Sequence, residues 1–550
     1  IENQASVAKI TGTAVNFTGD PINTAANTFT IQNETDFASY SIGIDPSPCP
    51  SGQRLWDGGG TTNNWSDAAN WDCDLIPQNG NNIVFDSTSS KDTVIDIPIN
   101  VNLFRINTGF TGVVTLASSA FSAADFSQAD GTFQGGSGQV TFNGPFSLTG
   151  GSFIASGNST SFASNFKHSG GIFEPNGGTV IFIGNAAGGI NQGLPVTTVE
   201  TFNNLTFQRS GIVILKVNGV MNVLGNLDLS SGQVQQDVLG SVLDANGDVE
   251  VTSNFNGLIP LNHVGSGNQT ITSVGASNPW NNWIIDKPAG TVTLASNLQF
   301  ANVNSNVIFR NGIVRTNDFV LDLGTSDGFA ENGFVIGNLR KTASGTRTFE
   351  VGTESGYSPV TLNSFGVFTV RANERPLAGV DPARSIKRNW TITSSGSQGD
   401  LTLQYADADV PAGAAEEGFK FIRQNGTLNE VFEPTTIDTA SNTFVLNNVT
   451  EFSTWTLGQL VPTAAAVEIR GRVSTPFGSG ISRARVTITD QSGDARTAVT
   501  NPFGYYIISG VEAGRAYVLS VKAKGYSFAS SVRVITVDDY ISGLDFIADN

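Results

Sequence analysis

The chain has 550 residues, which is enough for three or four domains that each bury a core of their own. Charged residues make up only 14%, whereas Gly occurs 62 times, and this composition suits turns between many short strands better than long helices. The formal net charge of −18 disfavours nucleic acid and anionic membranes as partners. No apolar run reaches the length of a membrane span, so the composition favours a soluble extracellular protein.

The start of the chain repeats a stretch from its second half. NTFTIQNETDFASYSIG at residues 27–43 matches NTFVLNNVTEFSTWTLG at residues 442–458, with seven identical positions. Because the later copy closes a predicted sandwich, residues 1–48 are predicted to be strands that resemble only the end of such a module. Their apolar faces and unpaired backbone groups require a partner sheet. The side chains expected to mediate that contact are Phe29, Ile31, Phe37, Tyr40 and Ile42.

Three explanations of this partial module stay open. The chain starts at Ile1 without a charged and then apolar leader, so it is interpreted as a processed or excised form, and the strands are then the remnant of a cut sandwich. Alternatively, the strands cap the open end of a solenoid. In the third explanation they complete a sheet in another copy of the protein, and a head-to-tail contact of that kind generates a filament.

The two cysteines, Cys49 and Cys73, lie close together around a Trp/Asn-rich segment. This spacing predicts a local disulfide in an oxidising compartment. A zinc site is the weaker alternative, because the two histidines, His168 and His263, are far away in sequence. Both histidines are predicted to lie on turns and are given no function.

The middle of the chain has a period of twenty residues. The triplets GTF, GSF and GIF end at Phe133, Phe153 and Phe173. The same spacing relates two further sets, which are Phe126, Phe146 and Phe166, and Phe142, Phe162 and Phe182. Units this short cannot bury a core alone, but they bury Phe in line when they stack as a parallel β-solenoid. Residues 49–330 are therefore predicted to be a Trp/Asn-rich cap followed by a parallel β-helix.

The segment RLWDGGGTTNNWSDAANWD at residues 54–72 opens this region. Together with the repeats that follow, it resembles the β-helical repeat segments of large secreted and surface proteins of bacteria. The resemblance covers about half of the chain, and it implies fold and location rather than an activity.

The last two regions are predicted to be sandwiches. Longer alternating strands with charged turns predict an antiparallel β-sandwich at residues 331–462. Residues 466–550 strongly resemble the carboxypeptidase regulatory-like family, a small transthyretin-type sandwich. The resemblance is carried by Gly471, Ala484, Val486, Gly504, Tyr505, Gly514, Tyr517, Gly525 and Tyr526. It implies a non-catalytic spacer or interaction domain on a secreted protein.

Few residues in the chain suggest chemistry. Asp244, Asn246, Asp248 and Glu250 alternate as Ca²⁺ ligands do, but the Gly of an EF-hand loop is missing and a solvated turn is favoured. Trp280 and Trp283 could form a platform for sugar rings, although core packing is favoured. The sequence contains no HExxH, Gly-x-Ser-x-Gly or Walker motif, so neither an enzyme activity nor a cofactor is expected.

These features predict an all-β protein: a parallel β-helix, then a β-sandwich, then a small transthyretin-like sandwich. The predicted function is an extracellular structural protein, a subunit of a bacterial surface fibre. Copies of the chain are expected to assemble head to tail by β-strand complementation. The alternative is a cell-surface adhesin or carbohydrate-binding stalk, whose partners are surface glycans.

Overall fold

The computed structural model describes the chain from residue 52 onward apart from short segments. The segments left out are 186–187, 192–193, 196, 211–213, 276–279, 281, 301–305, 397, 462–465, 538 and 550. Before residue 52 it describes the backbone of β-strands only. The chain divides into two units, residues 1–371 with 393–399 and residues 372–392 with 400–550.

The regular secondary structure of the described residues is almost entirely β-strand. Short 3₁₀ helices occur at Ala68–Asn70, Asp72–Asp74, Asp407–Asp409 and Glu416–Gly418. The N-terminal strands are β1 (Ala5–Thr11), β2 (Ala14–Phe17), β3 (Ile22–Asn23), β4 (Thr28–Phe29) and β5 (Ser39–Ile44). The solenoid strands begin with β6 (Gln53–Leu55), β7 (Asn82–Phe85), β8 (Thr93–Ile95), β9 (Ile99–Ile106), β10 (Val113–Leu116), β11 (Phe121–Gln128), β12 (Thr132–Gln134), β13 (Gln139–Phe142), β14 (Phe146–Ile154), β15 (Ser159–Phe162), β16 (Phe166–Glu174), β17 (Thr179–Phe182), β18 (Gly188–Ile190) and β19 (Val199–Phe202).

The solenoid continues with β20 (Asn204–Gln208), β21 (Ile214–Val217), β22 (Val220–Val223), β23 (Leu227–Gln236), β24 (Val242–Ala245), β25 (Val249–Thr252), β26 (Phe255–Leu258), β27 (Leu261–His263), β28 (Gln269–Val274), β29 (Asn282–Leu294), β30 (Leu298–Gln299) and β31 (Asn306–Asp322). The next strands are β32 (Asp327–Phe349), β33 (Gly352–Thr353), β34 (Gly356–Tyr357), β35 (Val360–Asn373), β36 (Asn389–Ser394), β37 (Gly399–Gln404), β38 (Lys420–Asn425), β39 (Leu428–Phe432), β40 (Thr436–Asp438), β41 (Thr443–Val449) and β42 (Thr454–Gly458). The C-terminal strands are β43 (Ala466–Ser474), β44 (Arg485–Thr489), β45 (Ala495–Val499), β46 (Tyr505–Glu512), β47 (Arg515–Lys522), β48 (Val532–Val537) and β49 (Phe546–Ile547).

Parallel pairing between successive coils builds the solenoid, as the twenty-residue period predicts. Phe126 pairs with Phe146, and Phe146 pairs with Phe166. Their buried rings stack with centroids 5.1 and 5.2 Å apart, close to the spacing of about 4.8 Å between paired strands. The predicted parallel β-solenoid, with Phe stacked in its core, is confirmed.

Glycines at one corner explain the first letter of the GTF, GSF and GIF triplets. Gly131, Gly151 and Gly171 all have positive φ, a conformation that costs other residues energy. A Cβ atom on Gly151 would also lie 2.4 Å from the carbonyl oxygen of Gly131 in the neighbouring coil. The coils therefore approach too closely at this corner for any larger residue.

Aromatic packing closes the start of the solenoid. Trp56, Trp65 and Trp71 are fully buried, and the rings of Trp65 and Trp71 lie 4.5 Å apart between centroids. Trp71 donates a hydrogen bond from Nε1 to the carbonyl oxygen of Trp65 at 2.8 Å. Trp280 and Trp283 are also buried, which confirms core packing as their role.

The last coil runs into the following sheet without a linker. β32 pairs in parallel with β31 and then, from Leu339 onward, antiparallel with β35. The predicted boundary between residues 330 and 331 therefore lies inside a single strand. The solenoid and the sheet after it therefore share β32, which runs from Asp327 to Phe349.

The second unit contains a sandwich. One sheet has the order β36-β42-β38-β39, and a second contains β37, β41 and β40. The rings of Phe421 on β38 and Phe444 on β41 lie 6.4 Å apart between centroids, so the two sheets pack face to face. Arg388 and Asp409 form a buried ion pair at 2.7 Å.

The C-terminal strands form a smaller sandwich in the same unit. Its sheets have the orders β46-β43-β49 and β45-β44-β47-β48. Ala484, Val486 and Tyr517, which are among the residues that carry the family resemblance, lie in its core. The all-β fold class predicted from the sequence is thus confirmed.

Candidate functional sites

The N-terminal strands pair with one another in the register of the complete sandwich. In the sandwich, Arg423 on β38 lies opposite Trp455 on β42. In the N-terminal segment, Lys9 on β1 lies opposite Tyr40 on β5, again antiparallel. Tyr40 is the residue that matches Trp455 in the sequence repeat, so β1 and β5 are the counterparts of β38 and β42.

The remaining N-terminal strands also pair in the same way as their counterparts in the sandwich. Ile22 on β3 pairs with Phe29 on β4, just as Ile437 on β40 pairs with Phe444 on β41. β2 pairs with β1 as β39 pairs with β38. The repeat first seen at residues 27–43 therefore extends upstream to β1, and β1 to β5 correspond to β38 to β42.

Two strands of the complete sandwich lack counterparts in the described part of residues 1–51. These are β36, which lies beside β42, and β37, which lies beside β41. Beside β42, Ile392 donates its N–H to the carbonyl oxygen of Ser453 at 2.7 Å, and Ile386 donates to Leu457 at 3.0 Å. The backbone groups of Ser453 and Trp455 therefore face β36, and those of Leu457 face Ile386 just before it, because backbone groups alternate along a strand.

The same alternation fixes the outer edge of β5. Tyr40 and Ile42 hold the places of Trp455 and Leu457, so their backbone groups face away from β1. Within the described residues β1 is the one strand paired with β5. Two of the five predicted assembly residues, Ile31 and Phe37, lie outside the described residues.

Side-chain hydrogen bonds hold the cap around Cys73. Cys73 is disulfide-bonded, whereas Cys49 lies outside the described residues, so their pairing stays a prediction. Lys91 donates from Nζ to the carbonyl oxygen of Gly60 at 2.6 Å and to Oδ1 of Asn70 at 2.7 Å. A hydrogen bond from Thr62 lowers the pKa of the Asp67 carboxyl.

Three of the four residues considered as Ca²⁺ ligands form hydrogen bonds between coils. Asp244 accepts a hydrogen bond from Nδ2 of Asn262 at 2.8 Å, and Asp248 accepts one from the backbone of Thr270 at 2.7 Å. Asn246 donates to Oδ1 of Asn222 at 2.8 Å, while Glu250 is exposed on β25. Burial raises the pKa of Asp244, and nearby Asp286 adds to this shift.

These contacts do not favour a calcium site. From residue 52 onward, outside the omitted segments, no group of three or more His, Cys, Asp or Glu side chains is placed to hold a metal ion. The amide of Asn262 and the backbone of Thr270 each donate to one of the carboxylate oxygens that Ca²⁺ would require. Calcium binding therefore stays a weak prediction.

Both histidines lie on strands, so their predicted placement on turns is wrong. His168 on β16 contacts the buried carboxylate of Glu200 through Nδ1 at 2.9 Å, and Asn191 donates to the same oxygen at 2.9 Å. The hydrogen bond to Glu200 raises the pKa of His168. Sequence reasoning missed this pair because Glu200 follows an insertion that interrupts the twenty-residue period.

His263 on β27 is fully buried in the solenoid core. Burial, with a smaller contribution from the charge of Lys287, lowers its pKa to about 3. Lys287 is also buried, and its amino group donates to Oε1 of Gln269 at 2.6 Å. Burial lowers the pKa of Lys287 to about 8. The cluster is enclosed by Trp283 and lies away from the surface.

A conspicuous exposed surface lies on the C-terminal domain. Two turns carry the tripeptide Pro-Phe-Gly, at residues 476–478 and 502–504, and their side chains Phe477 and Phe503 are 96% and 71% exposed. Arg472 joins the turns by donating from Nε to the carbonyl oxygen of Phe503 and from Nη2 to that of Gly478, each at 3.0 Å. We call these two turns the PFG turns. Both tripeptides are visible in the sequence, but their proximity is not.

The first coils of the solenoid carry an open groove of about 340 Å³. Pro98 and Ala120 are its exposed apolar residues, and most of the other lining residues are polar, such as Asn100 and Ser122, because Ile99 and Phe121 are buried in the solenoid core. We call this the first-coil groove. It lies on the face formed by β9, β11 and β13.

Comparison with known proteins identifies one domain. Residues 468–546 match the family model of the carboxypeptidase regulatory-like domain. No curated protein matches the chain, and the described residues contain no helix long and apolar enough to cross a membrane.

One solved structure to which the chain is similar is the Bacillus anthracis TIE protein, at 13% identity and a TM-score of 0.15. The match covers 37% of this chain and 43% of that one, so this chain spans less than half of its length. A similarity this weak carries no argument about function. What the comparisons establish is that the C-terminal domain is a carboxypeptidase regulatory-like domain.

Proposed function

We propose that the protein is an extracellular structural protein, a subunit of a bacterial surface fibre that joins its neighbour by β-strand complementation at the outer edge of β5. The observation that carries the proposal is the shared register of β1 to β5 and β38 to β42. In the sandwich that edge is covered by β36, and no described strand before residue 52 takes its place.

An open strand edge supports this assembly physically. Its unpaired N–H and C=O groups form a template for a strand from another chain. The complete sandwich keeps its own β36 paired through Trp390 opposite Trp455, so the completing strand comes from outside that sandwich. In a head-to-tail fibre it comes from the neighbouring copy, and such a contact does not close on itself.

Other features support a secreted, non-catalytic role. A disulfide at Cys73 is typical of an oxidising compartment. The His168–Glu200 pair has the residue types of an acid–base site, but Asn191 donates to the same Glu200 oxygen and the carbonyl oxygen of Gly171 contacts Nε2 of His168. The side chains of the solenoid core are buried and pack against one another, as expected of a structural rod.

A substitution that removes a single backbone N–H group tests the proposal. Ile42→Pro removes the N–H that faces the open edge of β5 while leaving the bonds to β1, and proline is tolerated at strand edges. The matched control, Ile42→Val, keeps that N–H. We expect Ile42→Pro to abolish fibres in negative-stain electron microscopy and Ile42→Val to retain them.

Two results would oppose the proposal. Fibres that form equally well with Ile42→Pro would show that the β5 edge is not the joint. Reproducible binding of the purified protein to a glycan array, without fibres, would favour the adhesin or carbohydrate-binding stalk instead.

A further inference from the structure

We propose that the first-coil groove and the neutral side chains beyond it bind an uncharged, extended polysaccharide that lies along the solenoid axis. The inference goes beyond the proposed fibre, because it assigns a ligand to a face of the rod and not to its joint. It rests on the lack of charge among the described residues of this face, on the hydrogen-bonding groups that the face presents, and on the mixed lining of the groove.

A column of side chains without charge crosses this face from coil to coil. Each member pairs in parallel register with the next, and each is exposed or half-buried. The members are Asn100, Ser122, Thr141, Ser161, Ile181 and Thr206. The charged residue that ends the column is Asp228, which pairs with Thr206. In a chain with a net charge of −18, a neutral surface of this extent favours an uncharged partner, because it offers no counter-charge to an ionic one.

A second column lies beside the first, two positions earlier on each strand. It consists of Gln139, Ser159, Thr179 and Asn204, which also pair in parallel register. Paired strands lie about 4.8 Å apart, and residues two positions apart on a strand are separated by about 6.5 Å. The two columns therefore form a regular array of hydroxyl and amide groups. A linear polymer of identical units can repeat one contact along such an array, so that many weak contacts add up to strong binding.

The polar groups of the array are available to a ligand. Within the described part of the chain, the hydroxyls of Ser122, Thr141 and Ser161 and the side-chain amide of Gln139 form no hydrogen bond with another residue. These groups therefore bond to water in the absence of a ligand. A sugar hydroxyl both donates and accepts hydrogen bonds, so it replaces that water without leaving a polar group unpaired.

The first-coil groove has a lining that suits a sugar ring. Asn100 and Ser122 contribute an amide and a hydroxyl, while Pro98 and Ala120 contribute exposed apolar atoms. A sugar ring carries hydroxyl groups around its edge and apolar C–H groups on its faces, so it matches both kinds of lining. The groove has a volume of about 340 Å³ and continues into the two columns on β13.

The groove is fixed before any ligand binds. The backbone N–H of Asn100 donates to Oδ1 of Asn79 at 2.9 Å, and the backbone N–H of Gly80 donates to the carbonyl oxygen of Asn100 at 2.7 Å. Because Oδ1 of Asn79 is engaged, its side-chain NH₂ group is the part that faces a ligand as a donor. The parallel ladder holds β9, β11 and β13 together, so little conformational entropy is lost on binding.

Biolayer interferometry with the immobilised protein tests the site. The probes in solution are hydroxyethyl cellulose and glycol chitin, which are uncharged, and polygalacturonate, which is anionic. We expect saturable binding of an uncharged polymer that persists at high ionic strength, and no binding of polygalacturonate. Because the protein is immobilised, the signal reports polysaccharide binding whether or not the protein forms fibres.

Two substitutions with matched controls locate the site. Gln139→Glu places a carboxylate at the groove, and we expect it to raise the dissociation constant at least about fivefold. Gln134→Glu makes the same change at an exposed position on β12, and we expect it to bind like the wild type. Thr141→Val removes one hydroxyl and keeps the side-chain shape, with an expected rise of about threefold. Its control is Thr115→Val on β10, in the separate ladder of β10, β12 and β14.

Three results would overturn the site. The first is a wild type that binds neither uncharged polymer. The second is equal affinity of the wild type and Gln139→Glu, with circular dichroism showing that both are folded. The third is binding of polygalacturonate that salt abolishes, as expected of an electrostatic contact. None of these results bears on the strand joint, whose own test is the loss of fibres in Ile42→Pro.

Discussion

Lys341 and Glu350 form an ion pair at 2.5 Å on and just after β32, and both side chains are buried. Lys341 also donates to the carbonyl oxygen of Thr348 at 2.6 Å. Burial lowers the pKa of Lys341, against the opposing effect of Glu350. The charges of Lys341 and Glu350 thus neutralise each other at the point where the last coil continues into the next sheet.

Removing one partner of this pair leaves an uncompensated buried charge. Glu350→Ala is expected to reduce the free energy of unfolding by about 3–5 kcal/mol, measured by denaturant titration. The double variant Lys341→Met/Glu350→Leu removes both charges and is expected to recover most of the loss. A Glu350→Ala protein as stable as the wild type would show that the ion pair contributes nothing.

Phe146 lies in the middle of a ring stack between Phe126 and Phe166. Phe146→Ala opens a cavity in a coil that cannot collapse without breaking its ladder, so we expect a loss of about 3–5 kcal/mol in unfolding free energy. The exposed Phe477→Ala is the control, with an expected change within about 0.5 kcal/mol. Equal effects of the two substitutions would contradict the stacked core.

Stability should depend on pH through His168. Its hydrogen bond to Glu200 raises its pKa above the ordinary value of 6.5, so protonated His168 stabilises the folded state. This contribution is complete below pH 6.5 and is lost as pH rises through the raised pKa. We expect the melting-temperature advantage of the wild type over His168→Gln to shrink as pH rises above 6.5 and through the raised pKa of His168. A constant or growing advantage would contradict this assignment.

The disulfide at Cys73 is expected to join Cys49. Peptide mapping without reductant should recover one cross-linked peptide containing both residues, which reduction separates. Cys73→Ser is expected to destabilise the cap by about 2–4 kcal/mol. A free thiol at Cys49 in the native protein would contradict the pairing.

Repetition made the solenoid predictable. Phe126, Phe146 and Phe166 recur at a fixed spacing, and stacking is the arrangement that buries all of them. The seventeen-residue repeat likewise predicted that the chain starts with the end of a sandwich, and the pairing of Lys9 with Tyr40 extends this to β1.

Features that depend on separate segments coming together were not predictable. The contact of His168 with Glu200 joins positions that no period relates, and Arg472 meets Phe503 only because β43 pairs with β46. The predicted boundary at residue 330 falls inside β32, because this strand runs from Asp327 to Phe349 and pairs with β31 and with β35.

The most direct test of the central claim is electron microscopy of the native protein, purified without denaturant. Strand complementation at β5 predicts long fibres with a regular axial repeat, which disappear in Ile42→Pro and persist in Ile42→Val. Dispersed single particles at every concentration would contradict a fibre subunit.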